Sequence, residues 1–137
     1  MSAPLRLLFV CVENSCRSQM AEAFARRLGG ARVQALSAGS RPSGVVNPRA
    51  VASMRAIGLD LSAHASKSLQ AAAPPGGAPF DAVVSMGCGD ACPWVPARRR
   101  VDWQVPDPKA MEPAEFARVR DQIGRQVQAL LDELLPR

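Results

Sequence analysis

Residues 5–18 read LRLLFVCVENSCRS, and this stretch decides the fold of the chain. Its apolar run at residues 5–10 has the composition and length of a buried β-strand. Cys11 ends that run, a short polar loop follows it, and a helical pattern begins after the loop. A strand, a short loop and a helix in succession are typical of α/β proteins with parallel sheets.

The same alternation of strand and helix continues along the chain. Further strands are predicted at residues 33–38, 81–86 and 100–103. Helices are predicted at residues 19–28, from Asn47 and Pro48 to Gly58, and from Pro113 to Leu134. Residues 71–79, rich in alanine and proline, are interpreted as a surface connection. The pattern indicates a parallel sheet with helices on both faces, which binds ligands at the carboxyl ends of its strands.

Composition limits the classes of protein to consider. The 137 residues suit one domain, residues 1–137, and 47% hydrophobic with 21% charged residues is typical of a globular chain. No apolar run approaches the ~20 residues of a membrane span. The first residues lack a signal-peptide pattern, so we expect a cytoplasmic protein that binds no membrane. The RRR run at residues 98–100 has no interleaved aromatics, which disfavours nucleic-acid binding. Nothing in the sequence demands more than a monomer.

The loop CVENSCR at residues 11–17 is the main candidate site. Its spacing lets backbone N–H groups point inward around a tetrahedral oxyanion at a helix N-terminus. Arg17 can offer two N–H groups to the anion, and Ser18 can donate its hydroxyl to the sulfur of Cys11, which we expect to be a thiolate. A buried cysteine beside a surface arginine is the alternative. The predicted oxyanion-binding residues are Val12, Glu13, Asn14, Ser15, Cys16 and Arg17.

The other three cysteines differ in their positions. Cys16 lies inside the loop and is interpreted as structural. Cys88 and Cys92 follow the third predicted strand, whose carboxyl end would bring Cys88 within reach of Cys11. Their spacing permits a disulfide if the segment coils. Zinc is disfavoured because His64 is the one histidine and there is no further cysteine pair, so we predict no metal. Two buried spectator cysteines are the alternative.

The loop resembles the active-site loop of the low-molecular-weight tyrosine phosphatase superfamily. FVC at residues 9–11 and RSQMAE at residues 17–22 carry the resemblance, and Gln19 is typical of the arsenate reductase branch, whereas the phosphatases usually have proline there. Further similar segments are SAG at 37–39, VNP at 46–48, IGL at 57–59, His64 with Ser66, and DP at 107–108. The resemblance implies a four-stranded parallel sheet in the order 2-1-3-4 with helices on both faces.

The resemblance also implies reduction of arsenate to arsenite, for arsenic detoxification, by a relay of three cysteines. Cys11 attacks arsenate, which the loop and Arg17 hold, and Cys88 then attacks Cys11 and releases arsenite. Cys92 attacks Cys88 and leaves a disulfide for an external thiol reductant. The thioredoxin-coupled members have a longer interval between the last two cysteines, so the choice between thioredoxin and glutaredoxin with glutathione stays open. No bound cofactor is implied.

In the superfamily, the aspartate that matches Asp107 is the general acid that protonates the departing oxygen. A turn aspartate is the alternative, because PDP at residues 106–108 also favours a turn. A phosphatase acting on phosphotyrosine or small phosphate esters would use the same loop, and phosphate or sulfate would mimic arsenate. However, Lys109, Ala110 and Met111 stand where such phosphatases usually have aromatic residues. A non-catalytic, oxyanion-binding redox sensor is the second alternative.

Some reductases of this branch bind potassium beside the loop. They use an asparagine and a glutamate like Asn14 and Glu22, and a threonine and an aspartate after the family histidine. Ala65 and Lys67 occupy the last two places here. We therefore predict that the Lys67 ammonium takes the position of the cation and that potassium has little effect. His64 is interpreted as a packed, hydrogen-bonded residue and not as a catalyst.

Overall fold

Within the described residues, 3–72, 77–87 and 95–135 of a computed structural model, four parallel strands form one sheet. They are β1 (Leu5–Cys11), β2 (Val33–Gly39), β3 (Ala82–Ser85) and β4 (Arg100–Asp102). Their order is β2-β1-β3-β4, which confirms the predicted order. The predicted bounds are wrong by a residue or so at several ends, and β1 includes Cys11 as its last residue.

The helices of these described ranges are α1 (Arg17–Gly29), α2 (Pro48–Arg55), α3 (Leu69–Ala72) and α4 (Pro113–Leu134), with a 3₁₀ turn at Gly30–Arg32. The Asn47 side chain caps α2 by accepting the Arg49 N–H at 2.8 Å. The predicted end of α2 is wrong, because the helix stops at Arg55 and a turn leads to Gly58 at φ +84°. α3 was not predicted. It overlaps the start of the predicted connection, of which residues 73–76 lie outside the described residues.

Both faces of the sheet are covered, which explains the continuous apolar run at residues 7–11 of β1. Leu7 and Phe9 point to the face that packs against α1 and α4, where Phe116 and Ile123 of α4 are fully buried. Leu8 and Val10 point to the opposite face, beside α3. The helices therefore hold the central strand in a fixed position. No helix in the described part of the chain is long and apolar enough to cross a membrane.

The carboxyl ends of the strands meet at one edge of the sheet. Cys11 lies opposite Gly39 in the register of β1 and β2. A Cβ atom at Gly39 would lie 2.6 Å from the Val12 carbonyl oxygen, so only glycine lets the loop after β1 approach this closely. The loop predicted to carry the chemistry is thus packed directly against the end of β2.

Candidate active site

The loop between β1 and α1 turns its carbonyl groups outward. Four backbone hydrogen bonds hold it: the N–H groups of Ser40, Arg41, Ser43 and Asn47 donate to the carbonyls of Cys11, Val12, Glu13 and Ser15 at 2.8–3.3 Å. In a trans peptide the N–H points opposite to the carbonyl of the preceding residue. The N–H groups of residues 12–14 and 16 are therefore directed to the concave side of the loop. This is the arrangement that an anion requires.

Side-chain hydrogen bonds hold the shape of the loop from behind. Asn14 is fully buried and has a φ of +50°, a left-handed conformation that asparagine tolerates. Its Oδ1 accepts the Lys67 N–H and a Gln19 Nε2–H, at 2.9 and 3.0 Å, and its Nδ2 donates to Ser18 Oγ at 2.7 Å. Since Ser18 Oγ accepts that bond, its own hydrogen can be donated to Cys11 Sγ, 2.9 Å away.

Arg17 and Asp107 lie together at the edge of the cavity. Arg17 begins α1 and is buried, and its Nη1 donates to the Val105 carbonyl at 3.1 Å. Asp107 Oδ2 lies 3.8 Å from Arg17 Nη2. Gly87, two residues after β3, packs closely against the guanidinium: a Cβ there would lie 2.2 Å from Arg17 Nη1. The segments that follow β3 and β4 thus hold the guanidinium on the loop after β1.

These residues enclose a cavity of about 290 Å³. The structure brings together the predicted site residues Cys11, Arg17, Ser18 and Asp107 with the loop residues. Among the described residues, the cavity is lined by Cys11, Val12, Glu13, Ser15, Cys16, Arg17, Gly87, Asp107 and Lys109. Cys88 and Cys92 lie outside the described residues, so the relay stays a prediction.

Sequence reasoning missed one ion pair at the mouth of the cavity. Lys109 Nζ donates to Glu13 Oε1 at 3.1 Å, although the two residues are 96 positions apart. The hydrogen bond to Glu13, together with the charges of Glu13 and Asp107, raises the pKa of Lys109. The only available signal was the position of Lys109 two residues after Asp107. We call this contact the mouth pair.

Two further titratable groups have identifiable roles in packing. Burial raises the pKa of the Cys16 thiol to about 11, so that thiol is protonated at neutral pH. Burial also lowers the pKa of His64. His64 Nδ1 lies 2.9 Å from Gln19 Oε1. Because that oxygen can only accept, the neutral imidazole donates from Nδ1 and orients Gln19 behind the loop.

Lys67 lies beside a buried carboxylate behind the loop. Glu22 is nearly fully buried, and its Oε2 is 3.0 Å from Arg26 Nη2. Its Oε1 is 3.8 Å from Lys67 Nζ, which also donates to the Ala65 carbonyl at 3.3 Å. A side-chain ammonium therefore lies close to the carboxylate oxygen that has no hydrogen-bond partner among the described residues.

Comparison with known proteins identifies the family. The profile described as low molecular weight phosphotyrosine protein phosphatase matches residues 6–136. The chain belongs to this family. Among its family relatives, a glutaredoxin arsenate reductase of Synechocystis is 36% identical over 94% of this chain and 98% of its own length. Arsenate reductase 2 of Staphylococcus saprophyticus is 36% identical over 92% of this chain and 95% of its own length.

A solved structure agrees with the family assignment. It is described as an arsenate reductase in the phosphate binding state, and it matches with a TM-score of 0.84 at 36% identity. The match covers 95% of this chain and 98% of that one. The resemblance drawn from the loop motifs is therefore confirmed, as is the phosphatase-like fold.

Proposed function

We propose that this protein is an arsenate reductase that takes its electrons from an external thiol. The observation that carries the proposal is the meeting of Cys11, Ser18, Arg17 and Asp107 around one small cavity. The relatives named arsenate reductases, each 36% identical over most of the chain, favour arsenate over other oxyanions.

The loop binds the substrate oxyanion. Its inward N–H groups and the N-terminus of α1 present positive charge to three of the arsenate oxygens. Arg17 is already held by the Val105 carbonyl, so little conformational freedom is lost when its guanidinium binds the anion. The fourth oxygen of arsenate then points out of the loop toward Asp107, in line with the sulfur of Cys11.

Cys11 is the nucleophile in the first step. Its thiolate, which Ser18 stabilises by donating a hydrogen bond, attacks arsenic to form an S–As bond. The fourth oxygen is the hydroxyl of monohydrogen arsenate. Its As–O bond breaks while Asp107 donates a second proton to it, so that it leaves as water. Arsenic is still pentavalent at this point.

Cys88 and Cys92 complete the electron transfer. The Cys88 thiolate attacks the sulfur of Cys11, an S–S bond forms, and the electron pair of the S–As bond stays with arsenic, which leaves as arsenite. Cys92 then attacks Cys88 and releases Cys11 as a thiolate. Thioredoxin, or glutaredoxin with glutathione, reduces the resulting Cys88–Cys92 disulfide and returns the enzyme to its starting state.

The test is arsenate-dependent consumption of NADPH, with the thioredoxin and glutaredoxin systems supplied separately. We expect turnover with one of them, none in Cys11→Ser, and a loss of about 10²-fold or more in kcat for Asp107→Asn. Cys92→Ser should make one turnover and stop with Cys11 bonded to Cys88, which intact mass spectrometry detects.

The alternatives predict different results. Unchanged turnover in Asp107→Asn would oppose the general-acid role. Binding of an oxyanion beside Cys11 without any turnover would favour an oxyanion sensor. Hydrolysis of p-nitrophenyl phosphate without any arsenate reduction would make the protein a phosphatase. Full activity of Cys92→Ser with its reductant would show that the relay is wrong.

A further inference from the structure

The mouth pair bridges two separate segments across the opening of the cavity. Glu13 belongs to the loop after β1, and Lys109 belongs to the segment after β4. Both line the cavity, and their side chains are 38% and 53% exposed, as expected for groups at its rim. The contact between Nζ and Oε1, 3.1 Å, is a hydrogen bond between opposite charges.

Lys109 is also coupled to the proposed general acid. Its backbone N–H donates to Asp107 Oδ1 at 3.1 Å, so Asp107 and Lys109 form one turn. This turn directs the carboxyl of Asp107 toward Arg17 and the ammonium of Lys109 toward Glu13. The mouth pair therefore lies on the side of the cavity where the departing oxygen of a bound anion is protonated.

We propose that the mouth pair determines which oxyanions the site accepts, by admitting small inorganic oxyanions and disfavouring organic phosphate esters. This inference rests on the oxyanion-binding part of the proposed function. An inorganic anion directs a bare oxygen at the mouth, where Lys109 Nζ attracts it while remaining bonded to Glu13. An ester has a carbon group at that place, and it has to separate the two side chains in order to enter.

The exposure of the Lys109 and Glu13 side chains sets the expected size of the change in selectivity. Ion pairs between half-exposed side chains are weak, so opening the mouth pair changes relative affinity by about two- to fivefold. Glu13 also has a second effect, since its carboxylate repels anions unless Lys109 neutralises it. Loss of Lys109 alone should therefore weaken anion binding in general as well as reduce selectivity.

The experiment compares two dianions as ligands that protect Cys11 from iodoacetamide. Inorganic phosphate represents the bare oxyanion, and phenylphosphonate, which cannot be hydrolysed, represents the ester. Because the two have similar charge, the ratio of their protection constants isolates the effect of the mouth from general electrostatics. Tandem mass spectrometry of the peptides distinguishes Cys11 from Cys16, which lies five residues away, and from the other cysteines.

We expect Lys109→Gln and Glu13→Gln each to reduce the preference for phosphate by about two- to fivefold. The double variant should match Lys109→Gln, because that change alone removes both the pair and the ammonium that attracts the bare oxygen. Arg41→Gln is the matched control. Arg41 holds the Val12 carbonyl through its backbone N–H, which the substitution retains, and it is exposed and does not line the cavity, so the ratio should stay unchanged.

Three results would overturn the proposal: an unchanged ratio in either single variant, additive changes in the double variant, or the same change in Arg41→Gln. Protection by phosphate without any arsenate reduction would refute the reductase function and leave the proposed role of the mouth pair unaffected. If phosphate failed to protect wild-type Cys11, the oxyanion site and the mouth pair would both be refuted.

Discussion

Gly87→Ala should impair catalysis far more than it impairs folding. Gly87 has a φ of +79° and faces the guanidinium of Arg17. An added Cβ would lie 2.2 Å from Arg17 Nη1, whereas ordinary van der Waals contact begins at 3.4 Å. The guanidinium therefore has to move by about 1.2 Å, the difference between these two distances.

The expected loss of activity follows from this displacement of the guanidinium. A shift of about 1 Å in a substrate-positioning group costs on the order of 10²-fold in rate, which corresponds to ~2.7 kcal/mol of transition-state stabilisation. Alanine at this positive φ separately costs ~1 kcal/mol of folding stability. Because Nη1 also donates to the Val105 carbonyl, its displacement strains a buried hydrogen bond and adds about 1 kcal/mol. The loss in kcat/KM should thus exceed the loss expected from instability.

Gly58→Ala provides the matched control. Gly58 has a similar φ, +84°, but a Cβ there meets nothing within 4 Å. Gly58→Ala should lose ~1 kcal/mol and Gly87→Ala ~2 kcal/mol in urea unfolding, and only Gly87→Ala should lose about 10²-fold in kcat/KM for arsenate. If Gly87→Ala retained the kcat/KM of Gly58→Ala, the contact with Arg17 would have no catalytic importance.

Three other perturbations test the surroundings of the site. Because burial lowers the pKa of His64 below its ordinary 6.5, the unfolded chain binds the proton more readily. The free energy of unfolding should therefore decrease as the pH falls below 6.5. Measured by urea unfolding at several pH values, this free energy should depend less steeply on pH in His64→Asn than in wild type; an equal pH dependence would contradict this. Cys16, with its pKa raised to about 11, should resist iodoacetamide in the folded protein and react after unfolding, as peptide mapping would reveal. Replacing sodium by potassium at constant ionic strength should change kcat/KM by less than about twofold in wild type, whereas Lys67→Met should become potassium-dependent; a large effect in wild type would refute the role of Lys67.

Most of the fold could be predicted from local patterns. The apolar run of β1 and the repeated apolar positions of α4 reflect burial on a sheet, which each segment shows by itself. The end of α2 could not be predicted, because Ile57 continues the apolar period while the chain already turns toward Gly58. α3 has only four residues, too few for any helical period to be recognised.

The candidate site also has a part that local sequence predicts and a part that it does not. Cys11, Arg17 and Ser18 are close in the chain, and the strand before them and the helix after them leave few arrangements of the loop. Arg17 contacts Val105 and Gly87, which lie in the segments after β4 and β3. No pattern in the sequence near Arg17 predicts these contacts.

The sequence by itself determined β1, the loop after it and α1, because hydrophobic period and residue spacing act over short stretches of chain. Only the tertiary structure decided that Lys109 faces Glu13, 96 positions away. That pairing depends on the order of strands in the sheet and on the path of the segment after β4. Long-range packing fixes both, and neither residue carries a local signal of its partner.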